Sequence, residues 1–437
     1  MGKTIEDDAD QFYSETDGIK QRGIAGLWAR YKQLPRNVFA ISFVSLLNDI
    51  SSEIIYPLLP AFLLLTLNAS AGVVGIIEGT AESISSLLKL FAGYFSDKRG
   101  KRKGFVVFGY SLSSLVRPLL AFAGNWYTVF ALRLIDRVGK GIRSAPRDAM
   151  IADAVTVKER GLAFGLHRAM DHTGATLGPL IGYLLVLVLA SDRGALTAQD
   201  YSSIFLLASV PALAAVIVVS LFVRESYKPG RPAKHDEVVT APARLSLRGF
   251  DNNFKYFLLI IALFTLSNSS DAFLLLRAQS VGVSVEQLPL LWALLHVSKV
   301  GSSLFGGHLS DILGRRRLIV SGWILYAAVY AGFAFVSTPI SVWILFVVYG
   351  LYFGLVEGAE KALVADLVRA EQRGTAYGLY NLAFGITVLP ASLLMGLLWD
   401  WRGPEVAFLV SATLGLAAAV LLMLLVRTRP VAASGTA

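Results

Sequence analysis

Two pairs of carboxylates stand at helical spacing inside stretches that are otherwise apolar: Asp49 with Glu53, and Glu78 with Glu82. The members of each pair are four residues apart, so on a helix they share one face. A carboxylate in hydrocarbon costs several kcal/mol unless it is paired, neutralised or turned toward water. Burial can bring the ionisation of such a group into the working pH range, which is the chemistry of proton coupling. His167 and Asp171, again four apart, and Asp271 join this class of candidates. Asp49 and Glu53 lead it, because they fall in the middle of their apolar stretch.

A second chemistry is offered by cations. Arg133, Arg137, Lys140 and Arg147 follow the spacing i, i+4, i+7 and i+14. On a helix this is a basic stripe that cannot face lipid and could hold a charged compound. Arg117, Asn268, Glu357 and Lys361 extend the set of candidate binding residues. The bland reading stands beside the functional one, since a charge network can also lock helices together by ion pairs. His167, Asp171 and His172 lie on one helix and rarely supply a closed coordination shell from there, so neither a metal nor another cofactor is expected. The second half of the chain is quieter, with Asp271, Arg277, His296, Lys299, Glu357, Glu360 and Lys361. Coupling and charged-group binding are therefore expected mainly in the first half. Aromatic residues such as Tyr56, Trp292, Trp323, Tyr349 and Tyr380 read more often as packing or interfacial anchors than as substrate contacts.

The elements that must position these groups are set by composition. Of 437 residues, 55% are hydrophobic and 16% charged, and the mean hydropathy is +0.59. That is more apolar surface than one soluble core buries, so the bilayer is the expected solvent. Apolar segments of about 20 residues or more recur along the chain, enough for a helix to cross ~30 Å of hydrocarbon. Lipid offers no partner to a free backbone amide, so the segments must be helices. Twelve spans are predicted, at 37–65, 71–97, 104–123, 126–153, 161–190, 201–223, 254–281, 286–311, 316–336, 340–367, 373–399 and 405–427.

The basic residues Lys98 to Lys103, Lys158 and Arg160, Arg315 to Arg317, and Arg369 and Arg373 all fall in connections on one side. The positive-inside rule makes that side the cytoplasm and places both termini there. Residues 1–36 form a polar tail without a short apolar segment and cleavage site, so no cleaved signal peptide is expected. Residues 224–253 read as a cytoplasmic linker between a first bundle at 37–223 and a second at 254–427, and 428–437 as a cytoplasmic tail. The net charge of +9 resides mostly in short juxtamembrane loops, where anionic lipid is a simpler partner than nucleic acid. The chain has no cysteine, which excludes disulfides and thiolate metal sites. No nucleotide motif or nucleophile with an ordered base is visible, so an enzyme is not expected.

Internal repetition divides the chain in two. GYFSDKRGKRK from Gly93 is answered by GHLSDILGRRR from Gly307, and ERGLAFGL from Glu159 by QRGTAYGL from Gln372. Two matches at nearly one offset make the halves structural duplicates. Gly93, Asp97, Lys98, Gly100, Lys101 and Arg102 resemble the loop signature of the major facilitator superfamily, and Gly307, Asp311, Gly314 and Arg315 its second copy. Gly174, Gly178, Pro179 and Gly182 resemble the span-five signature of the antiporter branch. In span four, Asp136 and Arg137 replace the residues usual for the family.

The resemblance implies an all-α membrane protein with twelve transmembrane helices in two pseudo-symmetric six-helix bundles. It implies alternating access, with the loop signature latching one state. Independently, Gly174, Gly178 and Gly182 form a strip of small residues along which a neighbouring helix can approach closely. The expected function is proton-coupled export, or antiport, of a small polar or charged amphipathic compound. The alternative is proton-coupled uptake, or symport, of an anionic metabolite, which the basic stripe favours; a ligand sensor that transports nothing is the third. The expected partners are a small-molecule substrate, protons and the lipid bilayer, without nucleic acid, for a monomer in the cell membrane of bacterial inner-membrane type.

Overall fold

A computed structural model describes residues 32–99, 101–156, 159–190, 196–225, 247–369 and 372–427. It is helical, with no strand among those residues. The long helical segments are α1 (Arg36–Thr66), α2 (Ala71–Arg99), α3 (Lys103–Leu120), α4 (Trp126–Ala154), α5 (Arg160–Leu189) and α6 (Ala198–Leu221) in the first half. The second half supplies α7 (Asn252–Ser280), α8 (Leu288–Leu313), α9 (Arg315–Phe335), α10 (Pro339–Asp366), α11 (Arg373–Arg402) and α12 (Pro404–Leu425). Nine segments among the described residues are long and apolar enough to cross a membrane. Helix α4 is outside that set because Arg133, Asp136, Arg137, Lys140, Arg143, Arg147 and Asp148 lower its hydropathy, yet it is turned into the bundle: Arg133 and Arg143 are buried. The outward surface is hydrocarbon, with Phe122, Val188, Leu221, Leu259 and Leu424 largely exposed, as a chain in lipid requires. The chain is a multi-pass membrane protein.

The two halves repeat each other contact for contact. In the first, α1 packs on α5 and α6, α2 on α4, and α3 on α4 and α6. In the second, α7 packs on α11 and α12, α8 on α10, and α9 on α10 and α12. Side chains repeat as well. Asn37 donates to the Arg224 carbonyl at 3.0 Å and accepts from the Arg224 amide at 2.9 Å. Asn253 does the same with Arg427, at 2.8 Å each way. Each half is thus closed by an amide bridge between the start of its first helix and the chain just past its last.

The loop signatures also recur as ion pairs, Arg102 with Asp153 and Arg315 with Asp366. Arg102 follows Lys101, the position that Arg315 matches in the motif, so the register slips by one residue between the copies. Gly314 adopts φ +83°, a left-handed conformation that suits glycine, and starts α9. Gly100 lies outside the described residues, as do the tails 1–31 and 428–437 and the linker segment 226–246, and the surroundings of Asp97, Lys98, Gly307 and Asp311 are outside them too.

The glycine strip of α5 has its neighbour in α1. A methyl group at Gly174 would lie 2.9 Å from the Asp49 Cβ, and one at Gly178 would lie 2.7 Å from both the Glu53 Cβ and the Ile50 carbonyl oxygen. At Gly182 the nearest atom is the Ile54 carbonyl oxygen at 3.2 Å. The strip and the leading carboxylates are therefore two sides of one contact. Pro179 lies inside α5 without ending the helix.

Between the halves, α2 packs on α11 and α5 on α8. The α2–α11 seam runs from Ala71 against Gly396 to Ser83, whose hydroxyl donates to the Gly385 carbonyl at 2.6 Å. At the end of the seam, Asp400 caps α2 from the other half. Its carboxylate accepts from the Ala71 amide at 3.0 Å and the Gly72 amide at 2.7 Å. An anion there satisfies orphan amides and complements the helix dipole.

Two predicted spans differ from the structure. The expected helix at 37–65 is α-helical over Arg36–Ile55, turns at 56–58 and ends in a π-helical stretch, Phe62–Thr66. The expected helix at 254–281 is interrupted: α7 is helical over Asn252–Ser267, irregular at 268–271, and helical again over Ala272–Ser280. Asn268, Ser269, Ser270 and Asp271 supply local polar groups at the break, a sequence that competes with helix continuation.

Candidate functional site

The break in α7 faces the middle of α1 across the two halves. Asp271, just past the break, accepts a hydrogen bond from the Tyr349 hydroxyl of α10 at 2.7 Å and pairs with the Lys299 ammonium of α8 at 3.4 Å. Lys299 Nζ also lies 3.7 Å from the centre of the Phe353 ring and 5.5 Å from that of Trp292, so aromatic faces and a carboxylate hold this cation together. Trp292 in turn donates its indole N–H to Glu53 of α1 at 2.7 Å. His296, one turn further along α8, places Nε2 3.9 Å from the same carboxylate. The Tyr56 ring lies 5.0 Å from the Trp292 ring, and its hydroxyl is 3.5 Å from Ser270 in the break.

Glu53 is thus the one leading carboxylate that the structure joins directly to the other half by a hydrogen bond. Asp49 accepts from the neighbouring Asn48 side chain at 3.0 Å and shares its electrostatic surroundings with Asp171 and Glu53. Asp171 lies 3.6 Å from His167, which is buried. These three acids and the histidine line the α1–α5 contact in two groups, Glu53 toward α8 and Asp49, His167 and Asp171 further along the helices.

The basic stripe of α4 divides by partner. Arg133 grips Glu78 of α2 through Nε at 3.0 Å and Nη2 at 2.6 and 2.8 Å, with both side chains under 10% exposed. Asp136 lies 3.8 Å from Arg133 and 4.0 Å from Arg137. Arg117 is 3% exposed and donates to Asn48 at 2.9 Å. Arg143 donates to Ser113 at 2.6 Å and covers the Tyr110 ring. Arg137 faces Glu82 at 3.8 Å, a loose pair, and Lys140 makes no hydrogen bond or ion pair among the described residues.

On the far side of the space between the halves, Arg168 of α5 reaches Glu357 of α10 at 3.4 Å, and Lys361 reaches the same carboxylate at 3.0 Å. All three side chains are about half exposed. Charges at these positions cannot face lipid, so they face one another and water. Asn268 takes part through its backbone, whose amide closes the first segment of α7.

The second half is quiet in charge because it packs through aromatic rings. Phe264 stacks on Trp323 at 4.1 Å, and Tyr326, Tyr330, Tyr349 and Tyr352 continue the cluster. Glu360 is set into it, accepting from Trp323 Nε1 at 3.0 Å and from the Tyr380 hydroxyl at 2.7 Å. Trp292, His296, Lys299 and Glu360 were each visible as residues, but their roles depend on contacts between distant segments.

The sequence profile described as Major Facilitator Superfamily matches residues 41–295 and 254–437. An uncharacterised transporter of this type from Methanocaldococcus jannaschii is 36% identical over 398 residues, covering 90% of this chain and 95% of the relative. A multi-drug resistance efflux pump homolog of Lactococcus lactis is 26% identical over 352 residues, covering 77% of this chain and 81% of the relative. Among solved structures, a bacterial homolog of the human lysosomal transporter Spinster, inward-facing and occupied, aligns with a TM-score of 0.71 at 15% identity, over 90% of this chain and 96% of that one.

Proposed function

The chain belongs to the major facilitator superfamily and is a secondary transporter, not an enzyme, and from that premise we propose that it couples proton movement to export of a small polar or charged compound. The observation that carries this reading is the Glu53–Trp292 hydrogen bond, which ties a membrane-buried carboxylate of one half to the other half. A group that gains or loses a proton at that seam changes the contact between the halves, and so couples protonation to their rocking. The name of the Lactococcus relative supports the export direction.

Asp271 and Lys299 at the α7 break form the facing wall, since a discontinuous helix offers backbone groups at the midplane. The basic connections orient the protein with both termini in the cytoplasm, and it acts as a monomer. A second reading, uptake of an anionic metabolite with a proton, is favoured by Lys140, whose side chain makes no hydrogen bond or ion pair among the described residues.

Proteoliposomes with an imposed proton gradient, screened with cationic, anionic and neutral compounds, test the proposal. Export by antiport requires compound and proton to move in opposite senses. Movement in the same sense establishes the uptake reading, and transport with no proton flux overturns coupling of either kind.

Rocking must also break the cap that Asp400 places on α2. Loss of a helix N-cap costs about 0.5–2 kcal/mol, so Asp400→Ala is expected to raise the population separated at this end about tenfold. Because the chain lacks cysteine, Asn68→Cys and Arg402→Cys supply a unique pair for spin labels. The distance distribution between them is expected to gain a longer component in the Asp400→Ala background, and an unchanged distribution would show that the cap does not hold this end shut.

A further inference from the structure

The cations of α3 and α4 are unequally spent. Arg117, Arg133 and Arg143 each have close partners, and Arg147 is held by Ser45 at 3.1 Å and by Asp148. Arg137 is different: Glu82 at 3.8 Å and Asp136 at 4.0 Å are both beyond hydrogen-bond distance, and its buried Nε has no partner. Lys140 is joined in this by Lys89 of α2, which also lacks a hydrogen bond or ion pair among the described residues.

The backbone brings these groups together. A methyl group at Gly141 would lie 2.7 Å from the Leu88 Cβ and 3.0 Å from the Ser85 carbonyl oxygen, so α4 and α2 cross in direct contact there. Lys140 and Lys89 each adjoin that crossing by one residue. Glu82, two helical turns before Lys89, is the resident carboxylate, and Lys140, Arg137, Lys89 and Arg133 all act on it. Arg133 is already satisfied by Glu78. Three cations therefore share the partly exposed Glu82, with Asp136 near Arg137 but divided between it and Arg133, and the surplus positive charge lies within a membrane-embedded bundle. Such a surplus calls for a further anion.

We propose that Lys89, Arg137 and Lys140 form an oxyanion-binding site in the first half, and that the transported compound carries a carboxylate, phosphate or phosphonate group that docks there. Two ammonium groups and a guanidinium match this chemistry, the lysines as point charges and the arginine as a planar donor. Lys140 and Arg137 also act electrostatically on Glu53. Anion binding and the protonation of Glu53 thus draw on the same two cations. This inference rests on the transport reading above, but on neither direction of transport.

The test uses the full chain in lipid nanodiscs, titrated calorimetrically with acetate, inorganic phosphate and methylphosphonate, and with tetraphenylphosphonium as the cationic control. At least one of the three anions is expected to bind at millimolar concentration or below. The double variant Lys89→Gln with Lys140→Gln is expected to weaken that binding about tenfold or more, while Lys140→Arg keeps it within a few-fold. Absence of binding by all three anions overturns the proposal, as does a folded double variant, with the melting temperature of the parent, that binds as the parent does. Proton flux in proteoliposomes is a separate readout. Loss of anion binding with coupled transport of a cation sinks the oxyanion site alone, and anion transport without proton flux sinks the coupling alone.

Discussion

Glu78→Ala is expected to cost about 3–5 kcal/mol of stability, because it leaves the Arg133 guanidinium buried without its counter-charge. The pair has three hydrogen bonds and almost no exposure, so little water can take the place of the lost carboxylate. Thermal melting in detergent should show a large drop in midpoint and a lower yield of folded protein. Replacing both partners, Glu78→Leu with Arg133→Leu, is expected to recover most of the loss, since no uncompensated charge then remains in the bundle. Glu82→Ala provides the contrast. Its side chain is 32% exposed and Arg137 stands 3.8 Å away, so water can replace part of the lost carboxylate, and the midpoint should fall less than for Glu78→Ala even though three cations lose their shared counter-charge. If Glu78→Ala melts like the parent, the pair is not structural, and Arg133 returns to the set of groups free to bind substrate.

That contrast marks how far the sequence could be read. The helices, the repeat and the α5 strip were legible because each is a local pattern: hydropathy over a segment, a repeated string, or glycines at i, i+4 and i+8. The strip predicts close approach by a neighbour, and α1 is that neighbour. The basic stripe was legible too, but its division was not. Nothing in the spacing of Arg133 and Arg137 says that the first is saturated by Glu78 and the second only loosely held by Glu82.

The break in α7 escaped for a related reason. Asn268 to Asp271 are four polar residues inside a longer apolar run that reads as one helix, and their local competition with the helix is completed by contacts from elsewhere: the Ser392 hydroxyl, 3.3 Å from the Ser270 amide, and Tyr349 on Asp271. The Asn37–Arg224 and Asn253–Arg427 bridges are long-range pairs as well. The quiet charge pattern of the second half pointed the functional reading toward the first. In the structure the second half supplies Trp292, His296, Lys299 and Asp271 to the cluster around Glu53, so the candidate site draws on both halves.

Glu53→Gln is expected to reduce proton movement to that of protein-free vesicles while leaving the protein folded. Glutamine keeps the shape of the side chain and can still accept the Trp292 indole N–H through its carbonyl oxygen, but it cannot gain or release a proton. The contact between α1 and α8 therefore survives in a single charge state, and rocking is no longer linked to protonation. Asp49→Asn serves as the partner control. Asp49 bonds to its own neighbour Asn48, not to the opposite half, so its replacement should leave proton coupling in place. Trp292→Phe keeps the ring beside Tyr56 and removes the donor, and is expected to slow coupled transport about tenfold. If Glu53→Gln moves protons as the parent does while Asp49→Asn does not, the coupling carboxylate is Asp49. The Glu53–Trp292 bond would then be a structural tie between the halves.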